Sequence, residues 1–507
     1  MSATVLNGKR GVLLLLTSVE LVVFLDVSIV NVALPAMGAA LGLGVVGLAW
    51  IGTAYQVTFG GFQLGAGRAT DLLGRRRLFR AGLLLFTLGS LLAGLAAWPW
   101  LLIAARALQG VGAAILVPAE LSLLTSVFSE PAAYRRAMGW WSAMGAVGAA
   151  GGVVLGGFIV SVLTWHWIFL INVPIGIAAL LLSGRLLPAD GPLDPAARSR
   201  MDLPGIATGT GALLLVVYAV TVAAEGDTGP RMLGTGAAGL LLAAAFVRRE
   251  MRTREPLLPF RLFRDPDVTG STLASFVVGA AHVPAFVFLA LYFQEVRGYS
   301  PLASGLAVLP VAVVNLVVSR TVIPPALAKW GPRAVLTGGM ALLCAGLLLL
   351  GRLPVDASFA VDYLPGAVIF AAGLPAVFVG ATMPAVKAVA AHETGVMSAV
   401  VNTAQRIGAG LGVAVLAALA ADRTDASSAG GAAHRVALNE GYRLTFLGAA
   451  GLAALGVLVG IWLIRRGRRA DEAAEPADRR GHAPHPGRTD RTDGKGRPRR
   501  TADDLSE

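Results

Sequence analysis

An aspartate stands inside the first long apolar run of the chain. Asp26 belongs to the string LDVSIVNVALP, residues 25–35. A charged side chain at the centre of a membrane helix costs about 2.5–3.5 kcal/mol on insertion scales. It is retained where it faces a bundle interior or water, and proton transfer is a usual reason. The position therefore predicts a carboxyl at Asp26 that binds a proton or a cation. The alternative is a carboxyl hydrated at the outer interface.

A positively charged residue, Arg106, lies in the fourth long apolar run. Arg106, Gln109, Gly110 and Ala113 are spaced so that they share one face of a helix. A buried arginine needs a carboxylate or backbone carbonyls as partners. The shared face makes Gln109 a candidate for the wall of a substrate cavity.

Two glutamates and an asparagine are further candidates for such a cavity. Glu20 and Asn31 lie within about 20° of each other on the first helix, and Asp26 points roughly 120° away. Glu120 lies about 40° from Arg106 around the fourth helix and roughly 21 Å along it. We hypothesise that Glu20, Asn31 and Glu120 line a central cavity that favours cationic or polar substrates. For Glu120, an interfacial position is the alternative.

Glycines follow a regular spacing in the fifth apolar run. Three of them recur every four residues, which predicts a groove that another helix can approach closely. The full set is Gly139, Gly148, Gly152, Gly156 and Gly157.

A basic segment joins the second and third runs. It reads GRATDLLGRRR, residues 67–77. Glycine permits a tight turn, and an aspartate among arginines can form and break an ion pair between two states. We refer to Gly67, Asp71, Gly74, Arg75 and Arg76 as the latch residues; by itself, a basic loop after a helix indicates only topology.

The composition indicates that these residues belong to a membrane protein. The chain has 507 residues, of which 55% are hydrophobic and 14% charged, and its mean hydropathy is +0.70. Soluble domains are about 25% charged, so most of this chain must be solvated by lipid. The net charge of +12 is then explained by basic loops on one side of the membrane and not by nucleic acid. The lone Cys344 excludes a disulfide framework.

A bilayer needs roughly 20 apolar residues per helix, and the sequence offers fourteen such segments. Their approximate bounds are 11–35, 46–66, 78–97, 100–127, 137–162, 167–187, 204–224, 232–248, 268–294, 302–324, 333–352, 362–385, 397–421 and 442–465. Strand-like alternation is absent. Lys and Arg concentrate in alternate connections, which predicts that both termini are cytoplasmic.

These segments divide into two halves with a central insertion. We expect a cytoplasmic N-terminus (1–10), a six-helix bundle (11–187), a linker with two extra helices (188–260), a second six-helix bundle (261–466) and a disordered cytoplasmic tail (467–507). Two bundles are typical of transporters with internal repeats. The loop AKWGPR, residues 328–333, stands where a second copy of the latch would fall, but it lacks the aspartate.

The motifs together resemble a known family. The latch, the string around Asp26, the R-x-x-Q-G-x-G-A-A pattern at Arg106 and the glycines of the fifth run are similar to signatures of the major facilitator superfamily, in its fourteen-helix drug/proton antiporter branch (QacA/EmrB-type multidrug exporters). The resemblance covers about residues 10–465. One departure is Val153, where the family has proline after the third glycine; without proline no kink is required, and the implied export direction is weakened.

The resemblance implies an all-α major facilitator fold and proton-coupled efflux of lipophilic or cationic drugs by alternating access. It also implies that Asp26 binds protons or a cationic drug, that Arg106 takes part in proton coupling, and that the latch residues form a conformational latch on the cytoplasmic side. It implies no enzymatic activity and no cofactor, since the proton gradient drives transport. The expected partners are a small-molecule substrate, protons and lipid, with no nucleic acid, and we expect a monomer in a bacterial plasma membrane. The alternatives are a dedicated exporter of a lipid or self-made metabolite and, less favoured, a proton symporter that imports a small molecule.

Overall fold

The protein is almost entirely helical in its computed structural model. The structure describes residues 3–192, 202–224, 229–253, 256–389 and 393–474. The side chains of Asp71 and of residues 462–474 lie outside this description.

The first half contains seven helical segments that form six spans. The short α6 and α7 follow each other after a one-residue break and together make the sixth span. The bounds are α1 (Ala3–Leu41), α2 (Val45–Leu73), α3 (Arg75–Gly94), α4 (Pro99–Val127), α5 (Pro131–Val162), α6 (Trp167–Leu170) and α7 (Asn172–Leu186).

The inserted pair and the second half follow. α8 contacts both α2 of the first half and α14 of the second, so the pair lies beside the junction of the two bundles. The bounds are α8 (Leu203–Ala224), α9 (Pro230–Glu250), α10 (Pro266–Leu291), α11 (Pro301–Thr321), α12 (Ile323–Leu350), α13 (Leu364–Lys387), α14 (Thr394–Ala429) and α15 (His434–Ala474).

Thirteen spans of the described chain are long and apolar enough to cross a membrane. The fourteenth, α2, is 29 residues long but less hydropathic, because it carries buried polar side chains such as Thr53, Gln56, Thr58 and Gln63. These side chains face protein and not lipid, so a helix of this composition can still cross the bilayer. The predicted fold of two six-helix bundles with two inserted helices is confirmed.

The C-terminal tail begins later than the sequence predicts. We expected disorder from residue 467, but α15 continues to Ala474. The segment from 465 to 474 is rich in Arg and Ala, which are strong helix formers, and this explains the extension. Residues 475–507 lie outside the described part of the chain.

Candidate functional site

Asp26 lies at the centre of a buried polar cluster in the first bundle. Its side chain is 0% exposed. Its Oδ2 accepts a charged hydrogen bond from Nη1 of Arg106 at 2.5 Å. Its Oδ1 accepts from Nε2 of Gln109 and from Nδ2 of Asn172, each at 3.0 Å. Both oxygens of a carboxyl on α1 are therefore bonded by side chains from α4 and α7.

Arg106 is held as firmly as its partner. It is 2% exposed, and its Nε donates to the carbonyl of Ile51 at 3.2 Å. Its guanidinium lies over the ring of Tyr55 at 4.4 Å and near that of Phe169 at 5.8 Å. Aromatic faces attract a desolvated cation. The cation therefore keeps favourable contacts with α2 and α6 when the charge of Asp26 changes.

Gln109 links the two charges. Its Oε1 accepts from Arg106 at 2.8 Å, and its Nε2 donates to Ser90 of α3 at 2.8 Å as well as to Asp26. The sequence predicted Gln109 in a substrate cavity, whereas the structure places it beside the proton-coupling candidates. Asn172 and Ser90 were not predicted. For Asn172 a signal was available, because it stands in the motif-like string NVPIG at the start of α7.

Glu20 and Glu120 form a second buried group in the same bundle. They are 1% and 0% exposed, and both face α5, where the Cβ position of Gly145 lies 3.5 Å from Oε1 of Glu20. Oε2 of Glu120 accepts from the indole N–H of Trp141 at 2.8 Å. The interfacial alternative for Glu120 is therefore wrong, because α1 and α5 cover it. Asn31 is half-buried and, among the described contacts, joins neither group.

The glycines of α5 meet α1 at close range. A Cβ on Gly152 would lie 2.7 Å from the carbonyl oxygen of Leu25, and one on Gly156 would lie 3.0 Å from that of Ile29. Gly148 meets the carbonyl of Leu21 in the same way. The helix that fills the predicted groove is thus α1, which carries both acidic groups.

The remaining two glycines of the motif behave differently. Gly139 has no atom within 4 Å of the position a Cβ would occupy. A Cβ on Gly157 would lie 2.6 Å from the carbonyl oxygen of Pro301 in the second bundle. Val153 also takes part in this junction, since its carbonyl oxygen lies 2.6 Å from the Cβ position of Gly305. α5 therefore packs on α1 along one stretch and on α11 at its end.

The basic segment between α2 and α3 is tied to the end of α7. Gly74 has φ +103°, a conformation that favours glycine, and it precedes α3. The carboxylate of Asp190 accepts hydrogen bonds from the backbone N–H groups of Arg76, at 3.1 Å, and of Arg77, at 2.8 Å. The Arg76 guanidinium donates to the carbonyls of Gly184 at 2.6 Å and Leu187 at 3.3 Å.

The other latch residues are less constrained. Arg75 is exposed, and a Cβ on Gly67 would meet nothing within 4 Å. The side chain of Asp71 lies outside the described residues, so its predicted ion pair stays a prediction. Among the described residues, the carboxylate of Asp190 engages this segment, and the sequence analysis missed it. The available signal was an Asp shortly after a helix. The unpaired backbone N–H groups at the start of another helix attract such a carboxylate.

The second half repeats this local geometry. Gly331 has φ +77° and interrupts α12, as Gly74 separates α2 from α3. Arg333, two residues later, forms an ion pair with Asp267 at the start of α10. The degenerate loop thus keeps the left-handed glycine and a paired arginine although it lacks the aspartate.

The junction of α5 with α11 is closed at one end and open at the other. The latch end is defined here as the end at Gly74, and the far end is opposite. Contacts at the far end join Gly157 to Pro301 and Gln294 to the carbonyl of Val32, the latter at 2.8 Å. Toward the latch end, a cavity of about 630 Å³ lies between α5 and α11. On this side the space between the bundles therefore opens toward the latch end, whereas α2 and α14 stay in contact.

The family model described as Major Facilitator Superfamily matches residues 16–413. The chain belongs to this superfamily. This chain is 37% identical over 476 residues to the puromycin resistance protein pur8 of Streptomyces alboniger, and the match covers 91% of this chain and 92% of that protein. It is 38% identical over 431 residues to the cephamycin export protein CmcT of Amycolatopsis lactamdurans, covering 84% and 88%.

A third relative has a similar name. The tetracenomycin C resistance and export protein of Streptomyces glaucescens is 32% identical over 423 residues, covering 83% of this chain and 78% of that protein. These similarities bear out the resemblance to the drug-exporter branch of the superfamily. This protein is accordingly a transporter and not an enzyme.

Solved structures support the fold. The transporter PepTSo of the POT family superposes with a TM-score of 0.67 at 13% identity, covering 91% of this chain and 98% of that chain. A bacterial homologue of the human lysosomal transporter Spinster gives a TM-score of 0.63 at 16% identity, covering 90% and 97%. At such identities the likeness concerns the fold alone.

Proposed function

We propose that this transporter exports antibiotics or related lipophilic drugs, cationic ones included, from the bacterial cytoplasm in exchange for protons. The observation that supports this proposal most directly is the buried ion pair of Asp26 and Arg106 at 2.5 Å. A carboxylate at this depth is stable while its partners compensate its charge. Taking up a proton removes that charge and with it the ion pair, so the state of Asp26 can bias a two-state structure.

The proposed membrane orientation follows from the basic residues. Arg75, Arg77 and Arg80 are exposed at the latch end, and cytoplasmic loops are enriched in such residues. In this proposed orientation both termini are cytoplasmic, and the opening between α5 and α11 faces the cytoplasm. This is the state in which a substrate would enter from inside the cell.

The transport cycle proposed here couples two events. Asp26 receives a proton from outside, which lowers the cost of moving a desolvated carboxyl. Substrate then leaves outward from the cavity between the bundles, and the proton is released inward. The Asp71–Arg75 region and the contacts of Arg76 are proposed to stabilise one of the two conformations. Glu20, Asn31, Gln109 and Glu120 remain the candidates for substrate contact, Gln109 through its bond to Asp26.

A second candidate function is dedicated export of one self-made compound. The names of CmcT and of the tetracenomycin protein each give a single antibiotic. A transporter of this kind would share the proton chemistry of Asp26 and differ only in the breadth of its substrates.

The test is substrate-driven proton movement in inside-out vesicles. Puromycin, lincomycin, a cephamycin and lipophilic cations are added under an imposed pH gradient, and dissipation of the gradient is recorded. We expect at least one compound to dissipate the gradient in the wild type and none in Asp26→Asn. The control is Asp356→Asn, because Asp356 is 87% exposed and its charge should not matter.

The outcomes separate the parts of the proposal. Dissipation by several compounds supports the multidrug function, and dissipation by one supports the dedicated exporter. Equal activity of Asp26→Asn and the wild type would remove Asp26 from the mechanism. Substrate accumulation inside cells that express the protein, driven by the gradient, would replace export with import.

A further inference from the structure

The buried pair of Glu20 and Glu120 holds more acidic groups than the cations around it can balance. Its two carboxyls face successive turns of α5 inside the bundle: Glu120 accepts from Trp141 at 2.8 Å, and the Cβ position of Gly145, one turn later, lies 3.5 Å from Oε1 of Glu20. One cation, Arg406 of α14, is close enough to act on Glu20 electrostatically. Arg406 is also committed elsewhere, since its Nη1 donates to Gln56 at 3.2 Å and its guanidinium lies 4.2 Å from the ring centre of Phe59.

The hydrogen bonds around the pair also indicate a missing proton. Oε2 of Glu20 and Oε1 of Glu120 are buried and receive no N–H or O–H donor from the described residues. A buried oxygen without a donor is costly. Two ionised carboxylates that face each other repel strongly in a medium of low polarity, and such pairs hold a common proton. One proton between the carboxyls provides the missing donor and leaves one negative charge opposite Arg406.

We propose that Glu20 and Glu120 form a second proton-binding site, in which the two carboxyls share one proton, separate from the Asp26–Arg106 ion pair. The occupancy of this site is a property of the folded protein. Its use in transport rests on the proposed function.

The site is surrounded by groups from several helices. Trp141 of α5 donates to Glu120. Tyr55 of α2 lies electrostatically close to Asp26, Arg106, Glu20 and Arg406 alike. His282 of α10 lies close to Arg406.

Tyr55 lies near both acidic groups. Its hydroxyl is buried and has no hydrogen-bond partner among the described residues, while the guanidinium of Arg106 lies over its ring. A change of charge at either group therefore alters the electric field at this side chain.

The experiment is infrared difference spectroscopy of the purified full-length protein in lipid nanodiscs. The carbonyl stretch of a protonated carboxylic acid is recorded across a pH series, with ¹³C-labelled glutamate to separate Glu from Asp bands. Variants Glu20→Gln and Glu120→Gln keep the shape of the side chains. Glu250→Gln is the matched control, because Glu250 meets Asp202 in another carboxyl pair at the ends of α8 and α9.

We expect, near neutral pH, a glutamic-acid band of this pair that either Glu20→Gln or Glu120→Gln removes completely; a band of Glu250 is identified separately by its loss in Glu250→Gln. In each variant the glutamine amide can donate to the remaining carboxylate, so that carboxylate no longer needs the proton. The band should persist in Asp26→Asn and in Glu250→Gln. Thermal unfolding of each variant confirms that the comparison is made between folded proteins.

Other results would overturn the proposal. Absence of the band in the wild type means that the pair is fully ionised. Loss of half the band in each variant means two separate protons, and full retention places the protonated glutamate elsewhere. Each reading is independent of transport. A failed vesicle assay with a positive spectrum would reject the proposed function alone.

Discussion

The strongest prediction concerns the coupling between Asp26 and Arg106. Asp26→Asn keeps the shape of the side chain but leaves a guanidinium that is 2% exposed without its counter-charge. Breaking a buried ion pair by removing one partner costs about 3–5 kcal/mol. Arg106 retains the face of Tyr55 at 4.4 Å, and a desolvated cation–π contact is worth about 2 kcal/mol. We therefore expect a loss near the lower end, about 3 kcal/mol.

The double variant reveals whether this loss comes from the pair. Arg106→Gln alone leaves Asp26 charged, whereas Asp26→Asn with Arg106→Gln leaves two neutral side chains. The double variant should thus be less destabilised than the sum of the single variants, by about 3 kcal/mol. The free energies of unfolding are measured by denaturant titration in bicelles.

An exposed pair provides the control cycle. Arg423 and Glu440 are joined at 2.6 Å but are 53% and 33% exposed, so their coupling should be about 0–1 kcal/mol. If the effects of the Asp26 and Arg106 substitutions add to within about 0.5 kcal/mol, the two side chains do not stabilise each other and the reasoning is refuted.

Three further substitutions, and one control, test the close contacts. Gly152→Ala places a methyl group 2.7 Å from the carbonyl of Leu25, so α1 must move away, and we expect about 1–3 kcal/mol of destabilisation with loss of transport. Gly151→Ala, where nothing lies within 4 Å, should keep the wild-type melting temperature and rate; equal effects of the two would contradict the packing argument. Asp190→Ala removes the acceptor for two amides of the first turn of α3 and should cost about 1 kcal/mol. Gly74→Ala should cost more in the same unfolding assay, because it combines φ +103° with a clash against Asp190; a smaller loss than that of Asp190→Ala would show that this turn is not constrained.

The fold was predictable because the bilayer imposes a simple rule on the sequence. Apolar runs of the required length mark thirteen of the spans directly. α2 was predicted correctly although its buried Thr53 and Gln56 reduce its hydropathy. The C-terminal boundary was missed, since the loss of apolar residues after about residue 466 indicates the end of the membrane span and not the end of the helix.

The candidate site was only partly predictable. Asp26 and Arg106 stand out because a charge in an apolar run has a large cost, and the cost itself predicts a partner. Asn172 and Ser90 bear no charge, so their burial leaves no comparable signal in the sequence. The rotation of one helix against another is set by packing, and for that reason the meeting of Glu20 with Glu120 was not predicted, although each was a candidate by itself.

The packing of α1 gives the acidic groups a mechanical role. α1 carries both Asp26 and Glu20, and it touches α5 backbone to backbone at Gly152 and its neighbours. Interfaces this tight leave little room for α1 to shift alone, since packed helices tend to occupy discrete arrangements. α5 in turn meets α11 at Gly157, where the bundles are closed. A change of charge on α1 therefore acts on a helix pair whose far end is part of the closure between the bundles. Loosening the α1–α5 contact should consequently disconnect proton binding from movement, leaving the infrared signal of the acid pair intact while transport is lost.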